Sequence, residues 1–105
     1  MRYETVITID QQKAKEYQDL LDGTAYDPES SKDDVIETFS GRFDNGFEVD
    51  IKIVNGDTES DVYIDAVLFD ENNNEVGFEN PADILLGGYE FIFGEDIYYI
   101  VVKEG

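Results

Sequence analysis

The segment FDENNNEVGF, residues 69–78, carries side-chain oxygens at alternate positions, as calcium-binding loops do. The oxygen-bearing residues at this spacing are Asp70, Asn72 and Asn74. An EF-hand loop counted from Asp70 also needs glycine at its sixth position and glutamate at its twelfth. Glu75 and Pro81 stand there instead. The sequence therefore predicts a hairpin turn, in which asparagine tolerates a left-handed backbone, and no metal site.

Catalytic chemistry would have to rely on carboxylates, because the chain has 26 Asp and Glu but no histidine and no cysteine. That composition removes the commonest general base near neutral pH, the Ser–His and Cys–His nucleophile pairs and the usual zinc ligands. A glycosidase-like carboxylate pair would also need a cleft and two separated pKa values. No glycine-rich phosphate loop is present. We therefore expect a protein that is not an enzyme and holds no cofactor.

The formal net charge is −19, from 26 acids and 7 bases, and it is unevenly spread. No base occurs between Lys52 and Lys103, whereas twelve acids do. Such a charge opposes compaction and attracts positively charged partners. It disfavours direct contact with DNA, RNA or an anionic membrane. The expected partner is therefore a basic protein surface.

Hydrophobic residues make up 41% of the 105 residues, enough for a core without disulfides. We predict one compact α+β domain over residues 1–105. The N-terminal MRYETVITID lacks the apolar run of a signal peptide, and no stretch approaches the roughly 20 apolar residues of a membrane span. The expected location is the cytoplasm.

The elements follow from hydrophobic periodicity and from capping residues. Residues 2–9 alternate as a strand, Asp10 can cap a helix over 11–21, and β patterning runs from Val35 onward. Residues 80–88 resemble a single helical turn that ends at Gly87. The predicted fold is α+β, with one N-terminal helix packed on a largely antiparallel sheet of about six to seven strands.

Strand register can be predicted where one face is apolar. A three-residue loop, 44–46, with Gly46 left-handed, places Phe43 opposite Phe47. The same register sets two further pairs, Phe39 with Ile51 and Arg42 with Glu48. Strands 47–54 and 61–69 are expected to pair, and a favourable charge pair would set Lys52 opposite Asp61.

The last hairpin is apolar on both faces, so we expect it to be central and covered on one side by the helix. A three-residue loop, 94–96, would place Tyr89, Phe91 and Phe93 on one face. The residues expected to share that face are Ile97, Tyr99 and Val101.

The outward-pointing acids are the candidate partner-binding residues. Along strands 47–54 and 61–69 they surround an outward tyrosine, and they continue along the next hairpin. The predicted set is Glu48, Asp50, Asp61, Tyr63, Asp65, Asp70, Glu71, Glu75 and Glu79. The alternative is a surface that only keeps the chain in solution, although ordinary domains need a net charge of magnitude about 2 to 8 for that.

Acids two apart on a strand lie about 6.6 Å apart. This is of the order of the phosphate spacing along nucleic acid, whose rise is about 3.4 Å per nucleotide. In size, charge and lack of catalytic groups, the whole chain resembles the small acidic inhibitors made by phages and other mobile elements, of the anti-restriction and anti-CRISPR type. The resemblance implies a non-enzymatic nucleic-acid mimic that binds the basic nucleic-acid-binding surface of a bacterial defence nuclease. The alternative is an accessory protein–protein interaction module of a bacterial or mobile-element system, with no nuclease target.

Overall fold

The computed structural model describes residues 1–22, 34–55, 62–79 and 82–105. Within these residues, one helix and seven strands confirm the α+β class. In chain order the elements are β1 (Arg2–Ile9), α1 (Gln11–Leu21), β2 (Val35–Arg42), β3 (Glu48–Val54), β4 (Tyr63–Phe69), β5 (Glu75–Phe78), β6 (Gly87–Phe93) and β7 (Asp96–Glu104).

The strands form two sheets, so the expectation of one sheet was wrong. Strands β2, β3, β4 and β5 make a four-stranded antiparallel meander, and β1, β7 and β6 make a three-stranded sheet. Strand β1 runs parallel to β7, although the two lie at opposite ends of the chain. Alternation shows which face of a strand is apolar, but it does not show which strand lies beside it. The division into two sheets therefore could not be predicted from periodicity.

The two sheets pack face to face through their alternating inward side chains. Val49, Ile51 and Ile53 of β3 are fully buried, as is Ile100 of β7. At the end where the β2–β3 hairpin turns, the rings of Phe47 and Tyr98 stack with centroids 4.6 Å apart. Further ring contacts join Tyr98 to Tyr3 and Phe43. Each such aromatic pair contributes about 0.5–1.5 kcal/mol beyond area burial.

The helix begins and ends where the sequence predicted. The Asp10 side chain accepts a hydrogen bond from the Gln12 backbone N–H, as an N-cap does. Ala14, Leu20 and Leu21 are buried in the core. The Tyr17 hydroxyl donates to Glu37 Oε2 on β2 at 2.9 Å. No helix within the described part of the chain is long and apolar enough to cross a bilayer.

The helix also bonds to the segment before β6. The Gln18 side chain donates to the Asp83 carbonyl oxygen and accepts from the Leu85 N–H. The helix therefore lies against β2 and residues 82–86. The last hairpin was expected to be central and covered on one side by the helix, and this was wrong: β6 is an edge strand, and Ile92 on its outer face is 74% exposed.

Two of the predicted turns are confirmed. In the β2–β3 hairpin, Phe39 pairs with Ile51 and Arg42 with Glu48, and Gly46 has φ +93°. The second turn joins β4 to β5. Its Asp70 Oδ1 accepts from the N–H groups of Asn72 and Asn74, while Asn73 adopts φ +66°. Asp70 thus stabilises the turn through its side chain.

The predicted register of the last hairpin was wrong by one residue. Phe93 pairs with Asp96, so the turn has two residues, Gly94 and Glu95. Gly94 has φ +64°, the conformation that a primed hairpin turn requires at its first central position. As a result Phe91 pairs with Tyr98, and the even-numbered residues of β7 enter the core. Both faces of β7 are apolar, so the sequence pattern suited either register.

Two further expectations need correction. Residues 82–86 form no helical turn, and Gly87 begins β6 rather than ending a helix. Asn80 and Pro81, its predicted cap and first residue, lie outside the described residues. In the β3–β4 pair, Lys52 faces Asp65 rather than Asp61, because this register pairs all seven residues of β3 with all seven of β4.

Candidate partner-binding face

The outer surface of the four-stranded sheet gathers most of the predicted partner-binding residues. On β3, the neighbours of buried Val49 and Ile51 point away from the core, and the same alternation holds on β4. We call this surface the carboxylate face. Its charged residues are Arg42, Glu48, Asp50, Lys52, Asp65 and Glu75, and its apolar and aromatic residues are Tyr63, Val67, Phe69 and Phe78.

Five predicted residues therefore share this face. Glu48 and Asp50 come from β3, Tyr63 and Asp65 from β4, and Glu75 from β5. Asp50 lies opposite Val67, which places Asp65 at the diagonal position. Diagonal neighbours on a sheet face are about 7–8 Å apart. The backbone register thus fixes the spacing of these carboxylates.

The remaining predicted residues lie elsewhere. Asp61 falls outside the described residues. Asp70 and Glu71 belong to the β4–β5 turn, and Glu71 lies beside Gly46 of the neighbouring turn. Glu79 lines a separate hollow with Ile84 and Tyr89.

The acids of the carboxylate face are interleaved with bases and hydroxyls. Arg42 pairs with Glu48, their nearest nitrogen and oxygen lying 3.3 Å apart. The Ser40 hydroxyl donates to Asp50 Oδ1 at 2.8 Å. Lys52 stands directly across from Asp65. Among the described residues, four carboxylates and two bases therefore leave the face acidic, but less so than the −19 of the whole chain suggests.

A shallow hollow opens on this face, between residues of β3, β4 and the edge strand β5. It has a volume of about 340 Å³, and Val67 forms part of its lining at 5% exposure. Phe78 of β5 pairs with Val67 and remains 65% exposed. The lining residues are Lys52, Tyr63, Asp65, Val67, Glu75 and Phe78.

Sequence reasoning missed Phe78 as a site residue. Strand β5 has four residues, and its pairing with β4 shifts register between Leu68 and Phe69. Alternation counted along so short a strand cannot show which side chains face outward. A hydrophobic residue at the end of EVGF was the available signal, but a core position explained it equally well.

A second hollow, of about 350 Å³, lies near the start of β6. The Tyr89 hydroxyl contacts the carbonyl oxygens of Ile84 and Leu85 at 2.8 and 2.9 Å. Burial, and then the nearby Glu79 carboxylate, raise the pKa of Tyr89 to about 12. The hydroxyl therefore stays protonated at neutral pH and acts as a hydrogen-bond donor to the 82–86 segment.

The carboxylate face has the chemistry to bind cationic side chains. Its carboxylates accept charge-assisted hydrogen bonds, and the exposed Phe78 ring offers a surface on which a cation can stack. Within the described ranges, no three Asp or Glu residues converge as a metal site would require. The chain matches no protein-family model, no curated protein and no solved structure.

Proposed function

We propose that the protein is a non-enzymatic inhibitor that binds the basic, nucleic-acid-binding surface of a bacterial defence nuclease in the cytoplasm. The target class comprises Cas effectors and restriction enzymes. One observation carries the proposal: carboxylates of three adjacent strands share one sheet face with the exposed Phe78 ring and the half-buried Tyr63, on a chain of net charge −19.

A sheet suits mimicry because its carboxylates need little ordering on binding. Glu48, Asp50 and Asp65 are half-buried, and their strands are held by ladders on both sides. Lys and Arg side chains that bind phosphates would meet carboxylates at comparable spacing. The overall negative charge would speed association, and Tyr63 and Phe78 would supply the desolvated contacts.

The test uses two double variants that change the net charge equally. Asp50→Asn with Asp65→Asn removes two carboxylates from the carboxylate face while keeping side-chain shape. Glu90→Gln with Glu104→Gln removes two exposed carboxylates from the three-stranded sheet. Each variant is assayed against a panel of purified Cas effectors and restriction enzymes, for cleavage inhibition and association rate.

We expect the Asp50/Asp65 variant to associate more slowly and inhibit less, and the Glu90/Glu104 variant to behave like wild type. Equal losses of inhibition in both variants would show that inhibition depends on the overall charge and not on the carboxylate face. Wild-type protein that inhibits no nuclease of the panel would contradict the proposal.

A second candidate function is an accessory interaction module without a nuclease target. It is favoured by the outer face of the three-stranded sheet, where Val6 is 54% and Ile92 74% exposed. Exposed apolar residues gathered on one face are typical of protein–protein contacts. Binding to non-nuclease proteins that Ile92→Ser weakens, with no change for the Asp50/Asp65 variant, would favour this alternative.

A further inference from the structure

We infer that the hollow in the carboxylate face receives an arginine side chain of the partner protein. The inference rests on the proposed function, since it names the group that the basic partner inserts. It follows from three features of the hollow: its aromatic wall, its two lining carboxylates and its size.

The aromatic wall is Phe78, whose ring stands beside Val67 on the neighbouring strand. Its 65% exposure leaves ring surface open to a ligand, and Tyr63 lines the same hollow from β4. A guanidinium group stacks on such rings through cation–π attraction and dispersion. The chain already contains this contact elsewhere, where Arg2 Cζ lies 4.8 Å from the centroid of the Tyr99 ring.

The carboxylates are Asp65 on β4 and Glu75 on β5, both in the lining. Among the described residues of the lining, Lys52 is the one base, so the three ionised side chains sum to one negative charge. The hollow therefore favours a cation. A guanidinium can bind a carboxylate with two parallel hydrogen bonds while its plane rests on a ring.

Lysine fits these features less well. An ammonium group is compact and strongly hydrated, and it presents no plane to stack on Phe78. A volume of about 340 Å³ lies at the lower end of the range for ligand pockets, which suits one long side chain. We therefore expect the hollow to prefer arginine over lysine.

Removing the charge of Lys52 should strengthen arginine binding, whereas the other substitutions in the hollow should weaken it. The Lys52 ammonium group lies across from Asp65 and would compete with an incoming guanidinium for that carboxylate. Replacing it by an uncharged residue, as in Lys52→Met, should strengthen arginine binding. A hollow that acted only as an apolar cavity would show no such gain.

The experiment titrates the full-length, ¹⁵N-labelled protein with N-acetyl-arginine amide and, separately, with N-acetyl-lysine amide. Amide shifts in the NMR spectrum report where each probe binds. We expect the arginine probe to shift Asp65, Val67 and Phe78, and the lysine probe to bind more weakly. Phe78→Ala should weaken arginine binding about 2- to 5-fold, the range that an exposed cation–π contact gives.

The matched controls lie on the other sheet. Ile92→Ala removes an exposed apolar side chain as Phe78→Ala does, and Glu90→Gln neutralises an outward-pointing acid of a strand as Asp65→Asn does. We expect both controls to bind the arginine probe like wild type, and Asp65→Asn to bind it less well. Dispersed NMR spectra of all variants will show that they are folded.

Equal binding of the two probes, or undiminished arginine binding by both Phe78→Ala and Asp65→Asn, would overturn the inference. These outcomes are independent of the nuclease assay. Weaker inhibition by the Asp50/Asp65 variant, without arginine selectivity in the hollow, would leave mimicry standing and remove the arginine site. Selective arginine binding, without inhibition of any nuclease, would support the arginine site and contradict the proposed inhibition of nucleases.

Discussion

At the scale of single residues, several carboxylates of this acidic chain are held in place by a neighbour. Glu48 pairs with Arg42, Asp50 accepts from Ser40, and Asp96 pairs with the N-terminal amine at 3.1 Å. Exposed pairs of this kind contribute about 0–1 kcal/mol each to stability. Their main effect is to fix where the charges lie, which matters more for recognition than for folding.

Tyr17 gives the structure a dependence on alkaline pH. Burial, and then the hydrogen bond to Glu37, raise the pKa of Tyr17 to about 12, above the usual value of 10.0. Both the folded and the unfolded chain keep this proton below pH 10. Between about pH 10 and 12 the unfolded chain releases it while the folded chain retains it, so the free energy of unfolding should fall.

The test measures urea unfolding across this alkaline range for wild type and Tyr17→Phe. The variant lacks the titrating group, so its stability should decline less steeply with pH. At neutral pH it should be less stable by about 0.5–1.5 kcal/mol, through loss of the hydrogen bond to Glu37. Parallel declines in the two proteins would show that Tyr17 ionises equally in both states.

For individual residues, the sequence was informative on long strands and uninformative on short ones. Glu48, Asp50, Tyr63 and Asp65 could be placed on one face because β3 alternates polar and apolar residues up to Ile53, and β4 does so up to Ala66. Glu79 follows the four-residue β5 after a register shift, and it lines a different hollow.

At the scale of elements, local chemistry determined what could be predicted. Asp10 identified the start of the helix, and Gly46 with its flanking phenylalanines identified the register of the β2–β3 hairpin. The β6–β7 hairpin was placed in the wrong register because both faces of β7 are apolar, so polarity could not distinguish a two-residue from a three-residue turn. The parallel pairing of β1 with β7 could not be predicted, because it has no local signature in the sequence of either strand.

Substitutions at Gly94 test the two-residue turn between β6 and β7. Gly94 has φ +64°, and a methyl group added there would meet no atom within 4 Å, so a substitution causes backbone strain rather than a clash. Gly94→Ala should reduce the free energy of unfolding by about 1–2 kcal/mol. Gly94→Asn should cost less, because asparagine tolerates a left-handed backbone.

The control is Gly77→Ala in β5. Gly77 lacks a positive φ, and an added methyl group would lie 3.7 Å from the Phe91 ring, an ordinary contact. Chemical denaturation should therefore show little loss for Gly77→Ala. A similar loss in Gly77→Ala and Gly94→Ala would contradict the two-residue turn.

At the scale of the whole molecule, the charge of −19 works against folding. Added sodium chloride screens this repulsion, since the Debye length falls from about 10 Å at 0.1 M to about 3 Å at 1 M. We expect the thermal midpoint to rise between low salt and about 0.5 M salt. Screening also weakens pairs such as Arg42–Glu48, but their contribution is small.

The measurement is the thermal midpoint at neutral pH over a series of sodium chloride concentrations. The Glu90→Gln, Glu104→Gln variant, which carries two fewer acids, should start from a higher midpoint and gain less from salt. A midpoint that does not change with salt would show that the acids are already compensated in the fold. The large charge would then not destabilise the fold, and its presence would no longer be an argument for a binding partner.

The most direct test of the mimicry is competition with nucleic acid for one nuclease. A nuclease that the protein inhibits is loaded with its nucleic acid, and the labelled protein is then added at increasing salt. If the carboxylate face occupies the Lys and Arg side chains that bind phosphate, the two ligands exclude each other and the protein's affinity falls steeply with salt. Simultaneous binding of protein and nucleic acid, at undiminished affinity, would contradict the proposed mechanism.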